Sequence, residues 1–387
     1  MSVSNDAGHF FQTSEALATT ERKTAKAKNK HGNPIKLTSK ILAVAEKDEH
    51  TVYVAEAAGE VKAVNLETNT VKKLATPAPA PLTSIAVCSI TKTLFAGCWD
   101  KNIYATPLAP GTDSTLRKLT GHTDFVKCLL ATSLNGQPIL LSGAADSTII
   151  VWDSRTGKQL HKLKGHTKAL QDLAIDPLSL AADAPTDSFV LFSASSDREI
   201  RRWHISLQKA FELPESIEKP ILAHETSIYK IRFDGDGDLW TASADKTAKH
   251  LVREREWAAD TTLQHPDFVR DVLFVEHLGL VVTACRDEEV RVWDAGSGDC
   301  ICVYKGHYEE VTGLALLGQD RVVSVSIDGS VRTWSLKKWE MARFREEVEK
   351  EKVDGIAAPK DEVKKGEGML TAEEEAELAE LMDDDDE

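Results

Sequence analysis

The chain has 387 residues, 42% hydrophobic and 28% charged, with a formal net charge of −15, the make-up of a globular protein with room for one large domain or two of medium size. No run of ~18 apolar residues occurs, which excludes a membrane-spanning helix. The opening MSVSNDAGHFFQTSEAL lacks the charged-then-apolar order of a secretory signal, so the chain is expected to stay inside the cell, in cytoplasm or nucleus.

The charge is uneven. Residues 1–36 carry 3 acidic and 6 basic side chains, residues 341–387 carry 18 and 7, and the stretch between them is left with −7. An acidic body argues against direct nucleic-acid binding, because phosphate contacts need clustered Lys and Arg. The six cysteines, Cys88, Cys98, Cys128, Cys285, Cys300 and Cys302, form no C-x-x-C pair and read as buried reduced thiols.

In chain order, residues 1–36 read as an amino-terminal segment with an extended stretch near 9–14, followed by a polar basic linker, Glu21 to Pro34. From about residue 37 a repeat takes over. Asp146, Asp197, Asp245, Asp287 and Asp328 recur every 41 to 51 residues, inside LLSGAADSTIIVWD, LFSASSDREIRRWH, LWTASADKTAKHLV, VVTACRDEEVRVWD and VVSVSIDGSVRTWS. Trp152, Trp203, Trp293 and Trp334 stand six residues after four of them, and Leu251 after the fifth. His122, His166, His224, His265 and His307 open the units. Two eroded copies precede them, with Asp100 and Ala58 at the Asp position, giving units that begin near 37, 80, 122, 166, 224, 265 and 307. Alternation such as Val290-Arg291-Val292-Trp293 marks strands. Asp176 to Asp187 reads as a surface loop. Beyond the repeats, Leu336 to Glu351 reads as a helix with Met341, Phe344 and Val348 on one face, and Gly355 to Gly368 as a spacer. Thr371 to Met382 reads as a short second helix, with a Thr371/Glu374 capping box and an apolar stripe of Leu378, Leu381 and Met382.

A period near 42 with Gly-His at one end and Trp-Asp at the other resembles the WD40-repeat family. The resemblance implies an all-β, seven-bladed WD40 β-propeller over residues 37–336, flanked by the segment 1–36 and by a helical, acidic tail over 337–387. The last unit stops after three strands, and a closed ring leaves no long free edge. The missing strand is expected from the segment around His9-Phe10-Phe11-Gln12, ahead of the alternative near Ile35-Lys36-Leu37.

His, Ser/Thr and Asp at fixed spacing imitate a catalytic triad, but repetition removes that reading, since an enzyme needs one nucleophile. In the resembled family the matching residues form a buried hydrogen-bond relay. Here these are His122, Ser142, Asp146 and Trp152; His166, Ser193, Asp197 and Trp203; His224, Thr241 and Asp245; His265, Thr283, Asp287 and Trp293; and His307, Ser324, Asp328 and Trp334. The first two units are expected to rely on apolar packing instead. Asp234-Gly-Asp236-Gly-Asp238 imitates a calcium loop, but Leu239 stands where Gly is needed, so a tight turn is expected. Neither a phosphate-binding loop nor a His-Glu-x-x-His zinc motif is present. No catalytic residue, metal or cofactor is expected.

The resemblance places protein partners on the face around the channel mouth. Residues after each His or beside each turn Asp would lie there: Trp99, Phe125, Lys127, Tyr229, Phe268, Arg270 and Arg286, types that dominate interface energetics. The expectation is a non-catalytic, monomeric scaffold of an intracellular multi-subunit complex, with Leu378, Leu381 and Met382 as a second contact. One alternative is a substrate receptor of a cullin-RING ubiquitin ligase, through a Trp152-Asp153-Ser154-Arg155 box in which Arg155 is the informative residue. Another is an accessory subunit of an RNA-processing, RNA-modification or ribosome-assembly complex, using the basic residues 21–34.

Overall fold

The computed structural model describes residues 14–74, 78–108, 117–180 and 187–357. The chain divides into two compact units, Met1–Ala342 and Arg343–Glu387. In the first, strands form seven four-stranded antiparallel sheets, spanning 41–73, 82–119, 126–164, 170–212, 228–264, 269–305 and 311–335; these are blades 1 to 7. The first strands of successive blades pack side by side all the way round, blade 7 against blade 1 included, and enclose a central channel.

Burial grades outward along each blade. The second strands Thr51–Glu56, Leu239–Ser243 and Leu280–Cys285 are buried throughout, and so read as nearly continuous apolar runs, whereas the outermost strand Thr70–Lys73 is fully exposed. The core lies between blades. Phe95 and Ile103 of blade 2 pack with Leu140, Ile150 and Trp152 of blade 3, and Ile139, Leu141 and Val151 of blade 3 pack with Trp203 of blade 4. One blade alone would leave both faces wet.

Two features repeat in all seven blades. The residue after each turn Asp, or its counterpart, is left-handed: Gly59, Lys101, Ser147, Arg198, Lys246, Glu288 and Gly329. Each first strand also carries a one-residue bulge near its start, at Leu42, Thr83, Lys127, Gln171, Tyr229, Arg270 and Thr312. A bulged residue is released from the ladder and can point where the paired residues do not.

Ring closure differs from the expectation. The fourth strand of blade 7 is Ile35–Lys36, antiparallel to Ser330–Ser335, and residues 9–12 lie outside the described part of the chain. The segment read as a solvated linker is structured as well. Ser14–Ala27 is a helix, and the residues after it form a strap over blade 7. Thr333 N–H donates to Gly32 C=O at 2.8 Å and Leu37 N–H to Gly329 C=O at 2.7 Å. The buried Arg332 guanidinium donates to the carbonyls of His31 and Asn29. The cause is steric as much as polar: Gly32 sits at φ +70° directly on the Trp334 indole, where only a residue without Cβ fits. Arg22 and Lys26 of the helix both reach Glu288, at 2.7 and 2.6 Å, and Lys23 reaches Glu309 at 2.6 Å.

The carboxyl-terminal helix runs Lys338–Ala357, through the start of the expected spacer, with Met341 buried. Leu378, Leu381 and Met382 lie outside the described residues. The loop from Asp176 is pinned at its base, where Arg253 grips the Asp176 carboxylate at 2.7 and 3.0 Å. None of the six cysteines is in a disulfide; five are buried, and Cys300 is exposed.

Candidate functional site: the channel mouth

The relay is present in blades 3, 4 and 7 as expected. In blade 3, Trp152 Nε1–H donates to Ser142 Oγ at 2.8 Å, Ser142 lies 2.7 Å from His122 Nε2, and His122 Nδ1 lies 3.1 Å from Asp146. The order that satisfies every donor is indole N–H to hydroxyl, hydroxyl to Nε2, and Nδ1–H to carboxylate. Blade 4 repeats it at 2.8, 2.7 and 2.9 Å, and so does blade 7. Blade 5 has no Trp donor, so its relay is shortened: His224 lies 2.7 Å from Thr241 Oγ1 and 2.8 Å from Asp245, and Thr241 Oγ1 also approaches Lys249 C=O at 3.1 Å. Burial opposes ionisation of Asp146, Asp197 and Asp245, but hydrogen bonds from the His rings, neighbouring hydroxyls and backbone outweigh it. Their carboxyls stay well below the usual range.

Blade 6 departs from the expectation. His265 Nδ1 donates to Leu263 C=O at 3.1 Å, and Asp287 faces Arg291 instead, at 2.6 and 3.1 Å. The reason lies one residue past the His. Thr123, Thr167, Glu225 and Tyr308 each donate their backbone N–H to the relay Asp of their own blade. In blade 6 that residue is Pro266, which has no N–H to give. Burial, helped by the Arg291 charge, pushes the His265 imidazole down to about 4.

Blades 1 and 2 do not rest on apolar packing alone. Lys62 meets the fully buried Glu56 at 2.5 Å and donates to Thr38 at 2.7 Å, and Tyr104 donates to Asp100 at 2.6 Å. The Asp234–Gly237 stretch is a turn, with Gly237 at φ +83° and the Asp234 carboxylate accepting the N–H groups of Asp236 and Asp238. Its other oxygen meets His250 at 3.0 Å, and His250 meets Asp260 at 2.8 Å. Burial lowers the His250 pKa, but the two carboxylates outweigh it and raise it.

The seven bulged residues converge. All of them line one cavity of about 280 Å³ at the channel, together with Trp99. In blades 3 to 7 each bulge stands five residues after the blade's His. That spacing was readable in the sequence, and of this ring only Lys127, Tyr229 and Arg270 were selected from it; Leu42, Thr83, Gln171 and Thr312 were missed. Most of the ring is anchored. Thr312 donates to Ile41 C=O at 3.0 Å, Thr83 to Val126 C=O at 2.5 Å, and Gln171 to Ser196 at 2.7 Å. Arg270 stacks on Tyr229 at 4.2 Å and pairs with Glu310 at 2.6 Å. Two carboxylates just below staple neighbouring blades: Asp172 accepts the N–H of Ile231 at 3.1 Å, and Asp271 that of Leu314 at 2.9 Å.

Outside the ring, Trp99 and Phe125 stack at 5.3 Å across blades 2 and 3, and both stay exposed, at 42% and 38%. Arg286 lies over Phe268 at 5.1 Å. Chain topology puts all of these on the face that carries the His loops and Asp turns. Arg155 belongs to the other face, exposed in the 153–158 turn, where Arg117 holds the backbone carbonyls of Ser154 and Arg155. Among the described residues, the expected partner-binding residues therefore fall into a mouth group and one remote Arg.

A closed ring of seven four-stranded blades, tied internally by Trp–Ser/Thr–His–Asp relays, defines a β-propeller of the repeat-built class. The family described as WD domain, G-beta repeat, matches at residues 113–153, 157–204, 259–294 and 298–335. An uncharacterized WD repeat-containing protein of Schizosaccharomyces pombe is 35% identical, over 98% of this chain and 99% of its own length. The chain belongs to the WD repeat family. A p21-activated protein kinase-interacting protein 1-like protein of Xenopus laevis is 25% identical over 56% of this chain and 55% of its own. Pre-mRNA-processing factor 19 of Mus musculus is 26% identical over 46% of this chain and 32% of its own. The crystal structure of the WD40 β-propeller domain of Doa1 superposes with a TM-score of 0.66 at 21% identity, covering 80% of this chain and 98% of that one, and shows the shared fold. Among the described residues no helix is long and apolar enough to cross a membrane.

Proposed function

We propose that this chain is a non-catalytic scaffold of an intracellular multi-subunit complex, docking a protein partner on the channel-mouth face. The observation that carries the reading is the convergence of bulged side chains on one cavity beside an exposed Trp99–Phe125 ledge. Rigid aromatic and Arg side chains give large contact area at little ordering cost. In blades 3, 4, 5 and 7 the His and Asp residues that imitate an active site are spent on the relays, and in blade 6 Asp287 is held by Arg291. The acidic segment with Leu378, Leu381 and Met382 serves as a second, tethered contact, and two weak sites on one chain reinforce each other.

Of the alternatives, a role in RNA processing through residues 21–34 is weakened by the engagement of Arg22, Lys23 and Lys26 with Glu288 and Glu309. The ubiquitin-ligase reading keeps its exposed Arg155, and Arg155→Ala should abolish capture of the ligase adaptor if it holds. The main reading is tested by affinity purification from cells of the native chain, of Trp99→Ala/Arg286→Ala, and of a chain ending at Lys352. The double variant should lose a partner that the native chain retains, and the shortened chain should recover less of it. Identical recovery in all three would refute both contacts.

A further inference from the structure

Lys127 is the one cation lining the mouth cavity that has no ion pair among the described residues. Four cations and three carboxylates line the cavity, and they match in pairs. Lys230 meets Asp172 at 2.9 Å, Arg232 meets Asp271 at 3.3 Å, and Arg270 meets Glu310 at 2.6 Å. Lys127 is left over, without an ion pair among the described residues.

The carboxylates are not free to turn toward it. Asp172 is also committed to the Ile231 N–H, and Asp271 to the N–H groups of Val272 and Leu314. Asp124, close in sequence, accepts the Phe125 N–H at 2.8 Å. Burial first, and then the Arg270 charge, lower the Lys127 pKa, and the opposing pull of Cys128 and Asp124 does not offset them. A half-buried cation with no carboxylate in contact carries a standing cost that an arriving anion would remove.

We propose that the mouth reads an acidic side chain of a partner polypeptide: an Asp or Glu enters the cavity and pairs with Lys127, while the residues flanking it pack on the Trp99–Phe125 ledge. The proposal rests on the docking role of this face and names the chemistry of what docks. The cavity, at about 280 Å³, suits one side chain and not a folded domain. A single unmatched positive charge on a chain of net charge −15 suits a carboxylate and not a polyphosphate backbone, which needs clustered cations.

The test uses the full chain and fluorescence anisotropy with three labelled probes: a glycine peptide with four central glutamates, its glutamine twin, and an oligouridylate. Inorganic phosphate is the competitor. The glutamate peptide should bind about tenfold or more tightly than its twin, the range of a charge-assisted hydrogen bond. Lys127→Gln and Lys127→Met should each erase that preference, while Lys158→Gln, on the opposite face, should keep it. Neither Lys127 variant should lower the melting temperature, since each removes an unmatched charge. Equal binding of the two peptides overturns the proposal, and so does a glutamate preference that survives both Lys127 variants. It also falls if oligouridylate binds more tightly than the glutamate peptide through Lys127, or if inorganic phosphate displaces the peptide at equal concentration. Loss of the cellular partner in Trp99→Ala without any glutamate preference would remove the acidic specificity and leave the docking face standing.

Discussion

Arg291 holds Asp287 with both terminal nitrogens, at 2.6 and 3.1 Å, and His265 is thereby cut off from the carboxylate its counterparts bond in blades 3, 4, 5 and 7. One proline accounts for the difference, and it has consequences in solution.

The first concerns pH. The His265 imidazole is depressed to about 4 in the folded chain, against 6.5 when unperturbed. Between those values the unfolded chain binds a proton that the folded chain refuses, so stability falls as pH drops from 6.5 toward 4, by ~3 kcal/mol at most. The depressed Asp146, Asp197 and Asp245 act lower: their contribution is present above 3.8 and is lost as pH falls through their folded pKa. Urea unfolding between pH 4.5 and 7 should show the His slope in the native chain and a flatter one in His265→Gln; equal slopes would contradict the assignment.

A related change should rebuild the contact. Pro266→Thr with Arg291→Ile gives blade 6 the residues blade 3 has at Thr123 and Ile150. The freed Asp287 should then accept from the new N–H and from His265, and the His265 ring titration followed by NMR should move up. An unchanged titration would mean that Pro266 is not the cause.

The complete relays should be costly to break. Ser193→Ala takes the partner from both the Trp203 indole and the His166 ring, each buried. Two orphaned groups predict a loss of ~2–4 kcal/mol in denaturant unfolding. A loss under ~1 kcal/mol would show that the hydroxyl contributes little.

The strap can be tested by glycine substitution. Gly32→Ala must adopt φ +70° and place its Cβ 2.7 Å from the Trp334 ring, whereas Gly136→Ala meets φ +72° with nothing within 4 Å. The first should cost ~2–5 kcal/mol and the second about 1 kcal/mol. Equal losses would show that the Trp334 contact yields freely.

The helix Ser14–Ala27 should be released by removing one charge. Glu288 is buried beneath Arg22 and Lys26, so Glu288→Gln leaves both cations with a neutral partner. Trypsin should cut after Arg22, Lys23 or Lys26 several-fold faster in Glu288→Gln at low salt, with the gap closing as salt rises. Identical cutting rates would place the hold on the helix elsewhere.

The repeat Asp and Trp positions carried the fold in the sequence, because a relay needs fixed residue types at fixed spacing. Ring closure was harder to read. His9-Phe10-Phe11-Gln12 looks more strand-like than Ile35-Lys36, yet the pairing segment is short and its hold comes from Gly32, Arg332 and backbone groups that leave little compositional trace. Lys23 and Lys26 looked solvated because their acceptors, Glu309 and Glu288, lie more than 260 residues away. At the mouth, Lys127, Tyr229 and Arg270 were picked out by residue type, whereas Thr83 and Gln171 occupy the same bulge without standing out chemically. Pro266 was in plain view, but its effect depends on an N–H that only the folded blade calls for.

Because each of the seven ring side chains grows from a residue that the ladder skips, what the ring displays can be exchanged without rewriting the pairing of any strand. Selectivity for a binding partner can thus drift through substitutions at seven scattered codons while the framework stays intact. A display library randomised at those codons alone should yield folded members with new affinities at high frequency.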